Sequence, residues 1–169
     1  MGQYQRKGKK RMKEIDFRFD NVGGMTALYL LPPSDIRRID ENPSSGTVVP
    51  IMRSRANIYR LTVFDGDAFS FEENMSIEDG GSAFDVTISG VLPRLDNMAS
   101  VAELEQGEWL AVHQDANGTI LLSGSKEVPL RFITQKKSGG ATSRNGVAFT
   151  LQATEPEASR VCEGRAIEP

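Results

Sequence analysis

The chain has 169 residues, 38% of them hydrophobic, and a formal net charge of −3, which suits one soluble domain with one real core. A single cysteine, Cys162, excludes an internal disulfide framework. No apolar run reaches the roughly 18 residues that a membrane-crossing helix needs, and 16 glycines with 8 prolines suit a loop-rich β protein better than a helical bundle.

The charge is unevenly spread. Arg6, Lys7, Lys9, Lys10, Arg11 and Lys13 make a basic head; without those six charges the rest carries −9. Residues 1–14 therefore read as a flexible basic arm, suited to an acidic partner surface in an assembly or, with only incidental contact expected, to nucleic acid. No apolar secretory segment follows this head, and Arg6 stands where a myristoylation signal needs Ser or Thr.

A single β-rich domain is expected over 15–154. Ile15-Asp16-Phe17-Arg18-Phe19 alternates, so Ile15, Phe17 and Phe19 share one face of a short strand or docking segment. Met25 to Leu31 reads as a buried strand stopped by Pro32-Pro33. Ser34 to Asp40 suggests one helical turn capped by Ser34, with Ile36 and Ile39 inward. Asn42 to Gly46 is a turn, and Thr47 to Met52 a short strand that Pro50 places at an edge. Asn57 to Phe64 is a strand with Tyr59, Leu61 and Val63 inward, and Ala68 to Glu72 returns beside it as a hairpin. Phe84, Val86 and Ile88 mark another strand after the Glu78-Asp79-Gly80-Gly81 turn.

One short helix lies within Leu92 to Gln106, capped by Asn97 or Ser100 and ended by Gly107. After it comes the most informative stretch, Gly107 to Ala153. Trp109 to His113 turns at Asp115-Ala116-Asn117-Gly118 into Thr119 to Ser123, then Val128 to Thr134 follows. A polar connection, Gln135 to Arg144, leads through Asn145-Gly146 to Val147–Ala153. This grammar predicts an antiparallel meander inside a β-sandwich or barrel with one short flanking α-helix. Residues 155–169 read as a polar tail.

Catalytic and metal signatures are missing. His113 is the only histidine, with no nucleophile elbow beside it. One His and one Cys do not make a zinc set. Asp65-Gly66-Asp67 lacks the twelve-residue spacing of a calcium loop, and Gly80-Gly81 lacks the lysine and helix of a phosphate loop. No cofactor is expected, and the chain reads as a non-enzyme.

The segments Leu110–Gly118, Leu121–Gly124, Val128–Leu130, Lys137–Gly139, Arg144–Gly146 and Phe149–Leu151 together resemble small tailed-phage virion proteins. The likeness is to tail or tail-tube-like subunits of phages and prophages of gut Bacteroidetes. It implies a structural subunit that self-associates into a ring or tube through edge strands, loops and termini. It also implies other tail or neck proteins as partners, no membrane, and a path from host cytoplasm to virion. Arg6, Lys7, Lys9, Lys10, Arg11, Lys13, Lys136, Lys137 and Arg144 become the expected assembly contacts. A second reading is a β-sandwich ligand-binding or adhesion module, possibly for carbohydrate, with Trp109, Tyr59 or Tyr29 as an aromatic platform. A third, a small hydrolase, needs His113 or a convergent carboxylate pair.

Overall fold

A computed structural model describes residues 23–61, 69–78, 80–93, 98–137 and 146–163. The elements in chain order are β1 (Met25–Leu31), a 3-10 turn (Pro33–Asp35), β2 (Ile36–Glu41), β3 (Val48–Met52), β4 (Tyr59–Leu61), β5 (Phe69–Glu78) and β6 (Gly81–Pro93). Then come α1 (Met98–Gln106), β7 (Glu108–Asp115), β8 (Ile120–Ser123), β9 (Leu130–Lys137), β10 (Gly146–Glu155) and β11 (Arg160–Val161). The fold is mainly β and antiparallel, an open sandwich with one helix, as the sequence predicts.

Strand β7 joins the layers. Along Ala111–Gln114 it pairs β8, and along Leu110–Asp115 it pairs β1, whose outer neighbour is β4. Its first residues pair β9 instead, Glu108 with Arg131 and Trp109 with Leu130. From there the sheet continues through β10 and β6 to β5, which ends it. Side chains from both halves of this nine-stranded sheet, Leu28 and Leu30 from one and Phe69, Ile88 and Phe149 from the other, share one core. The β2–β3 ribbon is a separate two-stranded sheet laid against the first half.

Residues 109–113 are buried without interruption because β7 has a core on each face. Trp109 and Ala111 point into the main core with Leu28, Leu30, Ile88 and Phe149. Leu110 and Val112 point into a second core with Leu31, Ile36, Val48, Leu122 and Cys162. Successive strand residues face opposite sides, so a strand between two layers is apolar throughout. α1 contributes Leu104 to the main core and buries Val101 as well, and Gly107 follows its last turn, as expected. Helix and sheet are tied further by a Thr134–Glu105 side-chain hydrogen bond.

Several sequence expectations change. Ile36–Glu41 is a strand, not a helical turn. A register shift between Ile36 and Arg38 lets Ile36 and Ile39 both pack on the second core, so the i, i+3 spacing imitates a helix. The hairpin expected over 57–72 does not form among the described residues: β4 pairs β1, and β5 pairs β6. The expected meander is also different, since β8 and β9 both pair β7 rather than each other. The segment beyond 155 is not simply a tail. Glu155 is buried, β11 pairs β8, and Cys162 is buried beside Val48 through a parallel bridge. The Asp65-Gly66-Asp67 turn, the Asn97 cap and the basic arm lie outside the described residues.

Gly90 shows how tightly the main core closes. It lies opposite both Phe69 and Phe149 in the two ladders of β6, whose rings meet edge to face with centroids 5.1 Å apart. A Cβ on Gly90 would overlap the Phe69 ring and come within 2.9 Å of the Phe149 ring. Gly90→Ala is therefore predicted to lower unfolding free energy by about 1–3 kcal/mol through overpacking, as read by urea denaturation. An unchanged midpoint would contradict this packing.

Candidate functional site

Several buried polar groups meet beside the β7–β8 pairing, beyond the point at which β7 leaves β9. His113 shares strand parity with Trp109 and Ala111, so alternation carries it to the end of the main core, 2% exposed. Its ring lies tilted against Phe71 of β5, centroids 4.5 Å apart. Nε2 is 3.1 Å from the Ser123 hydroxyl, which is 2.7 Å from the Ser159 hydroxyl. The Ser159 amide donates to Glu73 Oε2 at 2.7 Å. Close by, the Gly124 amide donates to Glu155 Oε1 at 2.7 Å. Gly124 holds φ +87°, and a Cβ there would stand 3.1 Å from the Trp109 carbonyl oxygen, so the turn out of β8 needs glycine.

This network links β5, β7, β8, β10 and the segment leading to β11. Buried polar groups that satisfy each other in this way fix one arrangement of the strands around them. Ser123 is fully buried, which hides its oxygen from a substrate. The neighbouring Asp115 accepts the amides of Asn117 and Thr119 at 2.9 and 2.8 Å; these bonds outweigh partial burial and hold its carboxyl below the usual range. The His113–Ser123 pair is thus engaged in a buried hydrogen-bond network.

Outside the network lies a cleft of about 410 Å³ bounded by Gly23, Met25, Phe69, Phe71, His113 and Leu121. Its mouth runs along β5, for Ser70 also borders it although the Ser70 hydroxyl bonds Ser89, 2.9 Å away. Among the described residues no group of His, Cys, Asp or Glu is arranged to hold a metal ion. Burial pushes the Cys162 thiol up to about 11, leaving it protonated and a poor nucleophile.

The expected aromatic platform is not assembled. Trp109 is buried, and its Nε1 donates to the Leu104 carbonyl at 2.8 Å, sealing the end of α1. Tyr59 is half-buried, meets Trp109 edge-on at 5.0 Å, and donates its hydroxyl to Glu103 at 2.5 Å. Tyr29 faces the other layer, with the Arg60 guanidinium 5.8 Å from its ring centroid. Trp109 thus corrects the platform reading: it is a core side chain. Of the expected assembly contacts, Lys136 and Lys137 end β9; the others fall outside the described residues. The Ser123–Ser159–Glu73–Glu155 group was missed. Extending the alternation Val147, Phe149, Leu151, Ala153 by one step reaches Glu155, a signal that could have found it.

No helix among the described residues is long and apolar enough to cross a membrane. Comparison with known families, curated proteins and solved structures finds no match to this chain.

Burial pushes the His113 imidazole down to about 4, with only partial opposition from Asp115. The unfolded chain binds a proton there below about 6.5 while the folded chain resists until about 4. His113 therefore costs no stability above that window, and stability falls as pH drops through it, by about 3 kcal/mol in all. Glu155 acts oppositely: burial, despite the Gly124 bond, holds its carboxyl above the usual range, so its contribution is lost as pH rises. Urea unfolding of wild type and His113→Leu between pH 4 and 7 isolates the histidine. The variant should lack that fall; identical slopes would show that His113 is not held neutral.

Proposed function

We propose that this protein is a non-enzymatic structural subunit that self-associates into a ring or tube, of the phage-tail kind its C-terminal half resembles. The observation that carries the reading is the β5–β6 hairpin. β5 ends its half-sheet, and its only ladder among the described residues is with β6. An edge of ten residues offers unpaired backbone groups that invite another chain.

The hairpin also runs past the core that covers its base. Phe69 is buried and Phe71 half-buried, but further along the same face Met75 is 56% and Ile77 is 78% exposed. Among the described residues the core that covers Phe69 does not extend to these side chains, whereas a neighbouring copy would cover them. Charge supports encounter between copies: a basic head faces an acidic body, while apolar contact must supply the affinity. The burial of Ser123, His113 and Trp109 favours this reading over a hydrolase or a carbohydrate platform. Virion partners and a virion location belong to the same proposal. They predict portal, capsid or tape-measure genes beside this one.

Sedimentation velocity across protein concentration and salt, with electron microscopy, tests self-association; closed or stacked particles are expected, and a strict monomer at high concentration would overturn it. The double variant Met75→Lys/Ile77→Lys should weaken assembly by about tenfold or more, since burying one such side chain contributes ~1.5–3 kcal/mol. Its urea midpoint should match wild type because neither side chain is packed in the protomer. Unaltered assembly would remove the hairpin from the interface.

A further inference from the structure

The cleft beside His113 adjoins the edge of β5 that is unpaired among the described residues, since Phe69, Ser70 and Phe71 border it. Phe69 and Phe71 project from β5 into the cleft, and Ser70 borders it from the strand's other face. Met25, Phe69, Phe71 and Leu121 give the cleft its apolar wall, Asp115, Asn117 and Thr119 a polar one, and the buried His113 also lines it. Such a surface fits an extended segment that pairs with the edge through its backbone and sends alternate apolar side chains inward.

Outside the described residues the sequence contains a segment of that description. Ile15, Phe17 and Phe19 alternate with Asp16 and Arg18. Five extended residues cover about 17 Å, the length of β5 from Phe69 to Glu73. Directly before it stands the basic run of Arg6, Lys7, Lys9, Lys10, Arg11 and Lys13. The β5–β6 hairpin, residues 69–93, carries Glu72, Glu73, Glu78, Asp79 and Asp85 and no Lys or Arg. Apolar pattern meets apolar cleft, and positive run meets negative hairpin.

We propose that residues 6–19 of a second copy dock here, with Ile15–Phe19 adding a strand to β5 and placing Phe side chains in the cleft. The basic run then lies along the acidic hairpin. This rests on the self-associating reading above and names the contact that serves it. β1 cannot take the segment as a simple hairpin partner at Leu28–Leu30, since β4 and β7 already hold both its edges there. The donor therefore reaches β5, and in an assembly each copy both gives and receives an arm.

Disulfide trapping in the full chain tests it. In a Cys162→Ala background, one tagged chain carries Asp16→Cys or Arg18→Cys and a differently tagged chain carries Ser70→Cys. Residues 16 and 18 share the outward face with Ser70, so one of the two pairs should cross-link whichever way the added strand runs. The expected result is a disulfide between the two tags, lost when Phe17 and Phe19 are both changed to Ser and reduced several-fold in high salt. In a companion chain that carries both cysteines, a disulfide that forms only within single chains would overturn the proposal in favour of the chain's own arm. Assemblies without any disulfide would overturn this contact, leaving the cleft to another occupant and the assembly reading intact. A protein that stays monomeric throughout would overturn both.

Discussion

The structure depends on β7 having no solvent face. An extended strand shows its side chains alternately to two sides, so a strand apolar at every position must be covered twice. Trp109 and Ala111 are covered by the opposing half-sheet, and Leu110 and Val112 by the β2–β3 ribbon with Cys162. Everything else follows from meeting that requirement. β7 pairs β8 and β1 along most of its length and β9 at its start. The sheet can therefore turn through β7 and fold back on itself. Gly124 allows the departure of β8, and the His113–Ser123–Ser159–Glu73 network ties β7 and β8 to β5 and to the segment before β11.

The same geometry leaves one side unfinished. Satisfying β7 consumes the apolar faces near the centre, but the sheet it generates ends at β5, ten residues long and paired on one edge among the described residues. Core, cleft and exposed hairpin end lie in sequence along that single strand, from buried Phe69 through Phe71 to exposed Ile77. A protomer closed at its centre and open at its margin is suited to joining copies. On the proposed reading, the acidic character of the hairpin and the basic character of residues 6–13 would give the join a direction.

Much of this could be read from the residues, and the failures have physical causes. The uninterrupted run of Met25 to Leu31 and the run from Trp109 to His113 announced buried strands, and the Asn117-Gly118 turn fixed the hairpin between β7 and β8. Ile36 and Ile39 misled because a bulge reproduces helical spacing within a strand. The pairing of β4 with β1 was hidden, since a sequence records which residues are extended but not which edge they reach. The length of β5 was hidden too: Glu73 to Glu78 carry little burial signal where the hairpin leaves the core. His113 was noticed for its rarity, while its partners Ser123, Ser159 and Glu73 come from three distant segments and meet only in the fold. Trp109 could be placed inside by its parity with Ala111, which is where the structure holds it.

The central claim is that the margin at β5, left open by the way β7 is buried, is where copies join. Amide hydrogen exchange, compared between dilute and concentrated protein, tests it most directly. The account predicts that Trp109 to His113 exchange slowly in both states, while amides of Phe69 to Glu78 gain protection only on concentration. Equal exchange along β5 in an assembled sample, with protection appearing on some other strand, would contradict it.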